Sequence, residues 1–485
     1  MRRAVMHEAE AGLRLEASIS GLADRVPGVS VRRLLTSGQR RLLIGIAVLI
    51  ALGAIVDLVD TVIVLCGIVT LVYVVCMSYR VYLFLRSTRG DVSEVVTDEE
   101  ARAVPDSELP TYTVMVPAYR EPEVINRLMA NIARLEYPAS RLEVLVLVEA
   151  DDDETLDALG SDDPGGHFRL VLIPPAEPRT KPKALNYGLT LARGELVTIY
   201  DAEDEPDLLQ LRRAAVALRR LGPQVGCVQA KLSYNNPGQN LITKWFTLEY
   251  AMWFSYFLPG LASMGAPIPL GGTSNHFRRL ALRSLGGWDP YNVTEDADLG
   301  IRMFREGYTV KVLESVTLEE ANSDFVNWVK QRSRWYKGYL QTFFVHLRSP
   351  VELTKEMGWK GVAHFSIFVG GTPILAMLNP IFWLMTGLWF VGHATFIQRI
   401  FPGPIYYLGL ACWAFGNFLL GYLTLLTCRA AGRREFLWAA LAVPLYWVMM
   451  SVAAAKAVWQ LVGRPAFWEK TVHGLHREPE ESAAA

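Results

Sequence analysis

A chain of 485 residues is long enough for more than one domain and for an ample soluble core. Hydrophobic residues make up 51% of it, the balance of a membrane protein that carries a soluble portion. A formal net charge of −1 lacks the basic surplus of nucleic-acid binding, and five scattered cysteines exclude a zinc or disulfide framework.

Residues 1–41 mix Glu8, Glu10 and Asp24 with several arginines and have no apolar core of the kind a secretory signal needs. They read as a cytosolic, partly helical leader. Residues 42–86 are apolar and long enough for two crossings of about 20 residues each, with Asp57 and Asp60 at the turn. Arg40 and Arg41 precede this hairpin, and Arg80, Arg86 and Arg89 lie at its end, so both ends face the cytoplasm. Residues 87–110, acidic and with Pro105 and Pro110, read as a linker.

Strands and helices then alternate. Strands are expected at 112–117, 142–148, 168–173, 196–200 and 226–232, and helices at 122–135, 182–192 and 207–220. Such alternation predicts an α/β fold with a mostly parallel sheet. The strand at 196–200 is a short apolar run that stops in Asp201, Glu203 and Asp204. Acids at the carboxyl end of a buried strand project into the natural ligand crevice, where a hard divalent cation would offset their repulsion. The strand at 142–148 also ends in acids, Glu149, Asp151, Asp152 and Asp153, so two neighbouring ends line one crevice.

Residues 239–268 are rich in aromatics and fit either a helix at the bilayer surface or packing against the sheet. Thr294-Glu295-Asp296 opens a helix, with Thr294 as a plausible N-cap. A helix over 325–347 places Gln331, Arg334 and Trp335 on one face, with Trp328 a turn earlier. Taken alone, that face also suits an interfacial anchoring helix with snorkelling arginines. Segments 362–395 and 404–427 read as one crossing each. The segment 436–461 carries Pro444, Lys456, Gln460 and the interface-prone Trp438, Trp447 and Trp459. Crossing there would strand Arg464 and Lys470 outside, so it reads as a helix lying on the cytoplasmic face, giving four crossings and both termini inside.

The order of these motifs is informative. Val116-Pro117-Ala118-Tyr119-Arg120-Glu121, the acids after the second strand, Lys183-Ala184-Leu185-Asn186, Asp201-Ala202-Glu203-Asp204, Thr294-Glu295-Asp296 and Gln331-x-x-Arg334-Trp335 follow one another. The set resembles the family 2 glycosyltransferases. More narrowly it resembles the processive membrane synthases of cellulose, hyaluronan, chitin and poly-N-acetylglucosamine. The resemblance implies a cytosolic GT-A domain (Rossmann-like, residues 111–324) inserted between transmembrane helices. Interfacial helices at 325–361 and 429–463, membrane helices at 362–428 and a gating-like loop and tail at 464–485 complete the division.

The chemistry of sugar transfer from a nucleoside diphosphate agrees with the residues present. The leaving diphosphate must be neutralised, a task for Mg²⁺ or Mn²⁺ held by Asp201 and Glu203. The acceptor hydroxyl needs a general base, which by resemblance is Asp296 of the Thr294-Glu295-Asp296 motif. The resemblance places Pro117, Tyr119 and Glu121 at the nucleotide, and Asp151 with Glu149 or Asp152 at uridine. Lys183 would assist at the nucleotide or stay a solvated helix residue. Gln331 and Arg334 would meet the diphosphate, Arg334 through its fork of donors. Gly272, Thr273 and Ser274 would line the acceptor site, with Trp335 stacked under the terminal sugar. Trp468, Lys470 and His473 belong to a segment loosely similar to a gating loop, or to an ordinary tail. Glu203 stands where many relatives have aspartate, and the Thr273-Ser274 loop leaves the acceptor sugar open.

The implied function is inverting, processive polymerisation of a UDP-sugar into a β-linked polysaccharide threaded across the plasma (inner) membrane. Its partners would be the UDP-sugar, the growing glycan, the lipid bilayer and an export or periplasmic protein. Two alternatives stand beside it: a single-transfer enzyme acting on a polyprenyl-phosphate or other lipid, and a non-catalytic membrane partner that keeps the fold.

Overall fold

The computed structural model describes residues 2–90, 92–123, 125–159, 167–392, 397, 400–411, 416–465 and 467–469. The leader begins as helix α1 (Arg2–Arg25). Helix α2 (Ser37–Val56) starts at Thr36, whose hydroxyl accepts from the Gln39 N–H while the Gln39 side chain returns to the Thr36 N–H. Asp57 separates α2 from α3 (Leu58–Ser87) and caps the latter by accepting from the Asp60 N–H at 2.9 Å. The aspartate pair thus forms the hairpin turn, as its position predicts.

The sheet has eight strands in the order β3-β2-β1-β4-β7-β6-β8-β5. β1 (Tyr112–Ala118), β2 (Leu142–Glu149), β3 (Phe168–Ile173) and β4 (Leu196–Ile199) pair in parallel. β1 and β4 are buried along their whole length, which is why they read as unbroken apolar runs. The chain lays down β2 and β3 on one side of β1 and β4 on the other. The strand order therefore reverses between β1 and β4, the place where open α/β sheets bind ligands.

The other half of the sheet is mixed. β5 (Glu205–Pro206) and β7 (Asn275–Arg278) run antiparallel to their neighbours, and β6 (Val225–Tyr234) pairs in parallel with β8 (Thr309–Glu319). β5, β7 and β8 have no counterpart in the sequence reading, and they correct its mostly parallel sheet. Helices α4 (Ile125–Ala133), α5 (Lys181–Leu191) and α6 (Gln210–Leu221) cover the faces. α1 packs along α5, so the leader is docked on the domain.

The aromatic segment forms α7 (Leu241–Met252), a π turn at Trp253–Phe257 and a short helix at Leu258–Ser263. Trp245 and Phe246 are buried in one apolar core that joins Val197 and Leu232 of the sheet to Leu83 of α3. Packing on the sheet thus accounts for much of that segment. Next come α8 (Glu295–Arg305), α9 (Phe325–His346) and α10 (Pro350–Phe365). α10 runs through a π turn at Ser366–Gly370 into α11 (Gly371–Gly392). The expected span over 404–427 is seen as α12 (Gly403–Ala411) and α13 (Asn417–Ala430).

The last helix, α14 (Val443–Gly463), packs against α9 and α11. Among the described residues four helical stretches are long and apolar enough to cross a membrane: α2, α3, Pro350–Gly392 and α14. Length and composition therefore permit α14 to cross, despite the surface position expected of it.

Candidate active site

A cavity of about 510 Å³ opens at the carboxyl ends of β1, β2 and β4. The switch in strand order brings together three chain segments there. Pro117 lies near the end of β1 with Tyr119 and Glu121 just after it, Glu149 ends β2, and Asp201 and Glu203 follow β4, all lining the cavity. The neighbouring Asp204 is fully buried and accepts the Asp201 N–H at 2.8 Å. It shapes the turn that presents Asp201 and Glu203.

Lys183 is no solvated lysine. It is fully buried, with its Nζ 2.6 Å from Glu149 Oε1 and donating to the Ala176 carbonyl at 2.7 Å. Burial raises the Glu149 carboxyl above its ordinary range while Lys183 pulls it down. The second oxygen, Oε2, is buried and has no hydrogen-bond partner among the described residues. It suits the N–H of a nucleobase. Asp151 pairs instead with Arg179 at 2.7 Å, and Arg179 lines the cavity in its place. Asp152 turns away: its carboxylate accepts from the Arg120 N–H at 2.6 Å and the Thr155 N–H at 3.4 Å, a structural duty.

Lys181, two residues before Lys183, reaches the acids that Lys183 does not. Its Nζ lies 2.5 Å from Asp201 Oδ1 and donates to the Gly272 carbonyl at 2.6 Å. Sequence reasoning missed it. The available signal was the alternation Arg179-x-Lys181-Pro182-Lys183 at the start of α5, where only one of the basic residues can point into the core.

Thr294, Glu295 and Asp296 line the cavity from the start of α8. Thr294 stands at the N-cap position, but its side chain accepts no helix N–H; its hydroxyl donates to Asn292. Gly338 of α9 explains that orientation, because a Cβ there would run into the Thr294 side chain. Asp296 Oδ1 accepts from Trp288 Nε1 at 2.8 Å. Burial, reinforced by Glu295, pushes the Asp296 carboxyl well above its ordinary range despite Lys181 and the Trp288 bond. A carboxyl held that way is better matched to receiving a proton near neutral pH.

Of the expected acceptor trio only Gly272 lines the cavity. Thr273 donates to the Ile199 carbonyl at 3.0 Å and to Asp204, and Ser274 donates to Thr317 at 2.6 Å. Both hydroxyls face the interior because β7 starts there and its polar groups must be satisfied within the sheet.

On α9, Gln331, Arg334 and Trp335 all line the cavity. The intervening Arg332 does the structural work: it pairs with Glu249 of α7, which also accepts from the Tyr446 hydroxyl of α14 at 2.6 Å. The Arg332 guanidinium lies 4.5 Å from the Trp335 ring centre and fixes that ring. Arg334 is half-buried, faces Glu295, Asp201 and Glu203, and sits 4.7 Å from the ring centre of Trp468. Trp468 is tethered there, since Gln341 donates to the Pro465 carbonyl at 2.8 Å and Gln460 to Glu469 at 2.9 Å. Lys470 and His473 lie outside the described residues.

Beyond Trp335 the cavity continues between α3, α11, α13 and α14, past Met77, Leu375, Asn417 and Met450. Among the described residues no group of three His, Cys, Asp or Glu side chains forms a ready metal cage. Two carboxylates with donor phosphates completing the shell is how Mg²⁺ is commonly held, and Asp201 and Glu203 fit that pattern.

Residues 110–338 match the family model described as "Glycosyltransferase like family 2". The chain is 28% identical over 349 residues to the beta-monoglucosyldiacylglycerol synthase of Synechocystis, covering 70% of this chain and 68% of that one. It is 29% identical over 269 residues to a probable glucomannan 4-beta-mannosyltransferase of Oryza sativa, covering 53% of this chain and 48% of that one. The chain thus spans about half to two thirds of the length of these curated relatives. A solved mannosyltransferase from Pyrobaculum calidifontis, in complex with GDP-Man and Mn²⁺, superposes with a TM-score of 0.51 at 21% identity. That likeness covers 83% of this chain and 99% of the other. The strand-end cavity, the family match and the shared architecture agree on one stretch of the chain: residues 110–338 are similar to the family 2 glycosyltransferases and belong to an α/β domain of GT-A-like fold.

Proposed function

We propose that the protein transfers sugar with inversion from a UDP-sugar to a β-linked glycan, repeatedly, and passes the product out between its apolar helices. The observation that carries this reading is the single cavity running from Asp201 and Asp296, past Trp335, to α3, α11, α13 and α14. The catalytic domain and both termini lie on the cytoplasmic side in this reading, with α14 along that face.

The acceptor hydroxyl attacks the anomeric carbon, its C–O bond forming as the bond to the diphosphate breaks. Asp296 takes the hydroxyl proton, while Arg334 and Lys181 hold the charge that gathers on the leaving group. Glu149 orients the base of the nucleotide, with Lys183 fixing one of its oxygens. A divalent cation held by Asp201 and Glu203 would supply Lewis-acid stabilisation of the diphosphate. Trp335 stacks under the terminal sugar, and Trp468 closes over Arg334 in the manner of a gate.

A second reading has a specific observation behind it. The similarity to a synthase of beta-monoglucosyldiacylglycerol covers 70% of the chain, and the far end of the cavity is largely apolar. A lipid acceptor glycosylated once would fit there. Membranes supplied separately with UDP-glucose, UDP-N-acetylglucosamine and GDP-mannose distinguish the two. A polymer that linkage-specific hydrolases digest is expected, whereas a lipid bearing one sugar overturns processivity. Trp335→Ala should shorten the polymer while leaving the donor KM unchanged.

Chelation provides an independent check on the acids. EDTA is expected to abolish transfer and excess Mn²⁺ or Mg²⁺ to restore it. An Asp201→Ala protein that works at full rate in EDTA would remove these acids from the reaction.

A further inference from the structure

A carboxylate that serves as a base must aim one oxygen at the acceptor, and an unrestrained carboxylate rotates. Asp296 is restrained by Trp288, whose indole N–H holds Oδ1 at 2.8 Å. Oδ2 is left facing the acceptor loop, since a Cβ built on Gly272 would lie 3.9 Å from it. The Trp288 ring is fully buried, edge-on to Phe277 with centres 5.9 Å apart.

The loop that carries Trp288 is gripped on several sides. Asn186 of α5 accepts the Trp288 N–H at 2.9 Å and donates to its carbonyl at 2.8 Å. Arg302 of α8 donates to the Gly287 carbonyl at 2.8 Å. Gly286 and Gly287 have φ of 81° and 71°, a conformation that lets the loop present the indole inward.

The remaining grip comes from the leader. Asn186 also donates to the Ser18 carbonyl of α1 at 3.2 Å. Asp289, next to Trp288 and fully buried, accepts from the Val31 N–H at 2.5 Å and the Ser30 hydroxyl at 3.1 Å. Arg348, just after α9, donates to the Pro27, Gly28 and Leu34 carbonyls at 3.0, 3.2 and 3.3 Å. The leader thus closes over the back of the loop whose front holds the base.

We propose that Trp288 is a positioning residue for Asp296 and that leader residues 18–34 are the clamp that keeps it in place. The proposal rests on Asp296 being the base. It gives the leader a role in turnover though it lines no part of the cavity.

The test uses the full-length protein and Trp288→Phe, which keeps a ring and removes the N–H. Turnover should fall about 10-fold or more, the usual weight of a hydrogen bond to a charged group, with the donor KM unchanged. The indole N–H favours the ionised carboxylate, so its loss raises the proton affinity of Asp296. The acid limb of the kcat profile should therefore move to higher pH. Asp296 is also faced by Glu295 on its own helix, Lys181 from α5 and Asp201 after β4, and none of these changes in the variant.

Ser30→Ala combined with Arg348→Gln loosens the clamp without touching ring or base, and should give the same signature in smaller measure. It also decides the matter should Trp288→Phe fail to bind UDP. Wild-type turnover in Trp288→Phe, or a fall with the acid limb in place, overturns the positioning role. Unchanged turnover in the double variant removes the leader. Asp296→Asn separates the two readings: full activity there defeats the base assignment, whereas an inactive Asp296→Asn beside a normal Trp288→Phe defeats only this inference.

Discussion

Asp296→Asn is expected to cut turnover by at least ~100-fold, the usual scale of lost general-base catalysis, while UDP still binds with its original affinity. The substitution keeps size and shape, and the amide oxygen can still accept the Trp288 N–H. The group turned toward Gly272 would then be an NH₂, which donates hydrogen bonds and takes no proton. Nothing changes at the end of the cavity proposed for the nucleotide, because Glu149, Lys183 and Arg179 lie on other elements. UDP release measured at saturating donor, alongside UDP calorimetry, separates the two effects. A variant that elongates product at the normal rate would place the base elsewhere.

Lys183→Met should cost about 3 kcal/mol or more in stability, as expected when one partner of a buried ion pair is removed. A lysine in water would cost little, so the magnitude distinguishes the buried lysine from a solvated one. The loss leaves Glu149 as an uncompensated buried acid, whose proton affinity rises further above the usual carboxylate range. Above that raised value the charge persists and the penalty is felt; below it Glu149 is protonated and the penalty shrinks. Unfolding of the detergent-solubilised protein should show a larger deficit at pH 8 than at pH 5. Adding Glu149→Gln should recover much of it at pH 8. An equal deficit at both pH values would show that Lys183 acts through packing alone.

What could be read from the sequence follows from how each element meets water. β1, β2 and β4 are buried on both faces, and the edge strand β3 stays apolar although Leu170 and Leu172 are exposed, so apolar runs mark all four to within two residues. β7 escaped because its four residues, Asn275-His276-Phe277-Arg278, include a single apolar side chain. Its polar groups are satisfied inside the domain: Asn275 donates to the Gly271 carbonyl, and His276 meets the Tyr112 hydroxyl, each at 2.7 Å. Hydropathy carries no signal for such a strand.

The site divides along similar lines. Carboxylates at strand ends announce themselves, because few other positions gather like charges. Lys181 and Trp288 do not, since their roles depend on Gly272 and Asn186, about a hundred residues away in the chain. Within a recognised motif, the sequence also leaves open which side chain faces inward. Thr273 and Ser274 are expected at the acceptor yet point into the sheet, and Arg332 rather than Arg334 ties α9 to its neighbours.

The junction between α3 and the Leu258–Ser263 helix sets what can be moved as a unit. A Cβ on Gly260 would lie 2.6 Å from the Leu83 carbonyl oxygen, and Phe84 stacks on Tyr256 with ring centres 4.2 Å apart. A fragment starting after α3 would leave Phe257, Leu258 and Leu261 without their cover, an adhesive patch of the kind that drives aggregation. Recombination that grafts this domain onto foreign anchors, in evolution or in the laboratory, therefore has to carry α3 with it. The portable module is bounded by an apolar helix, although every residue expected to do chemistry lies beyond that helix.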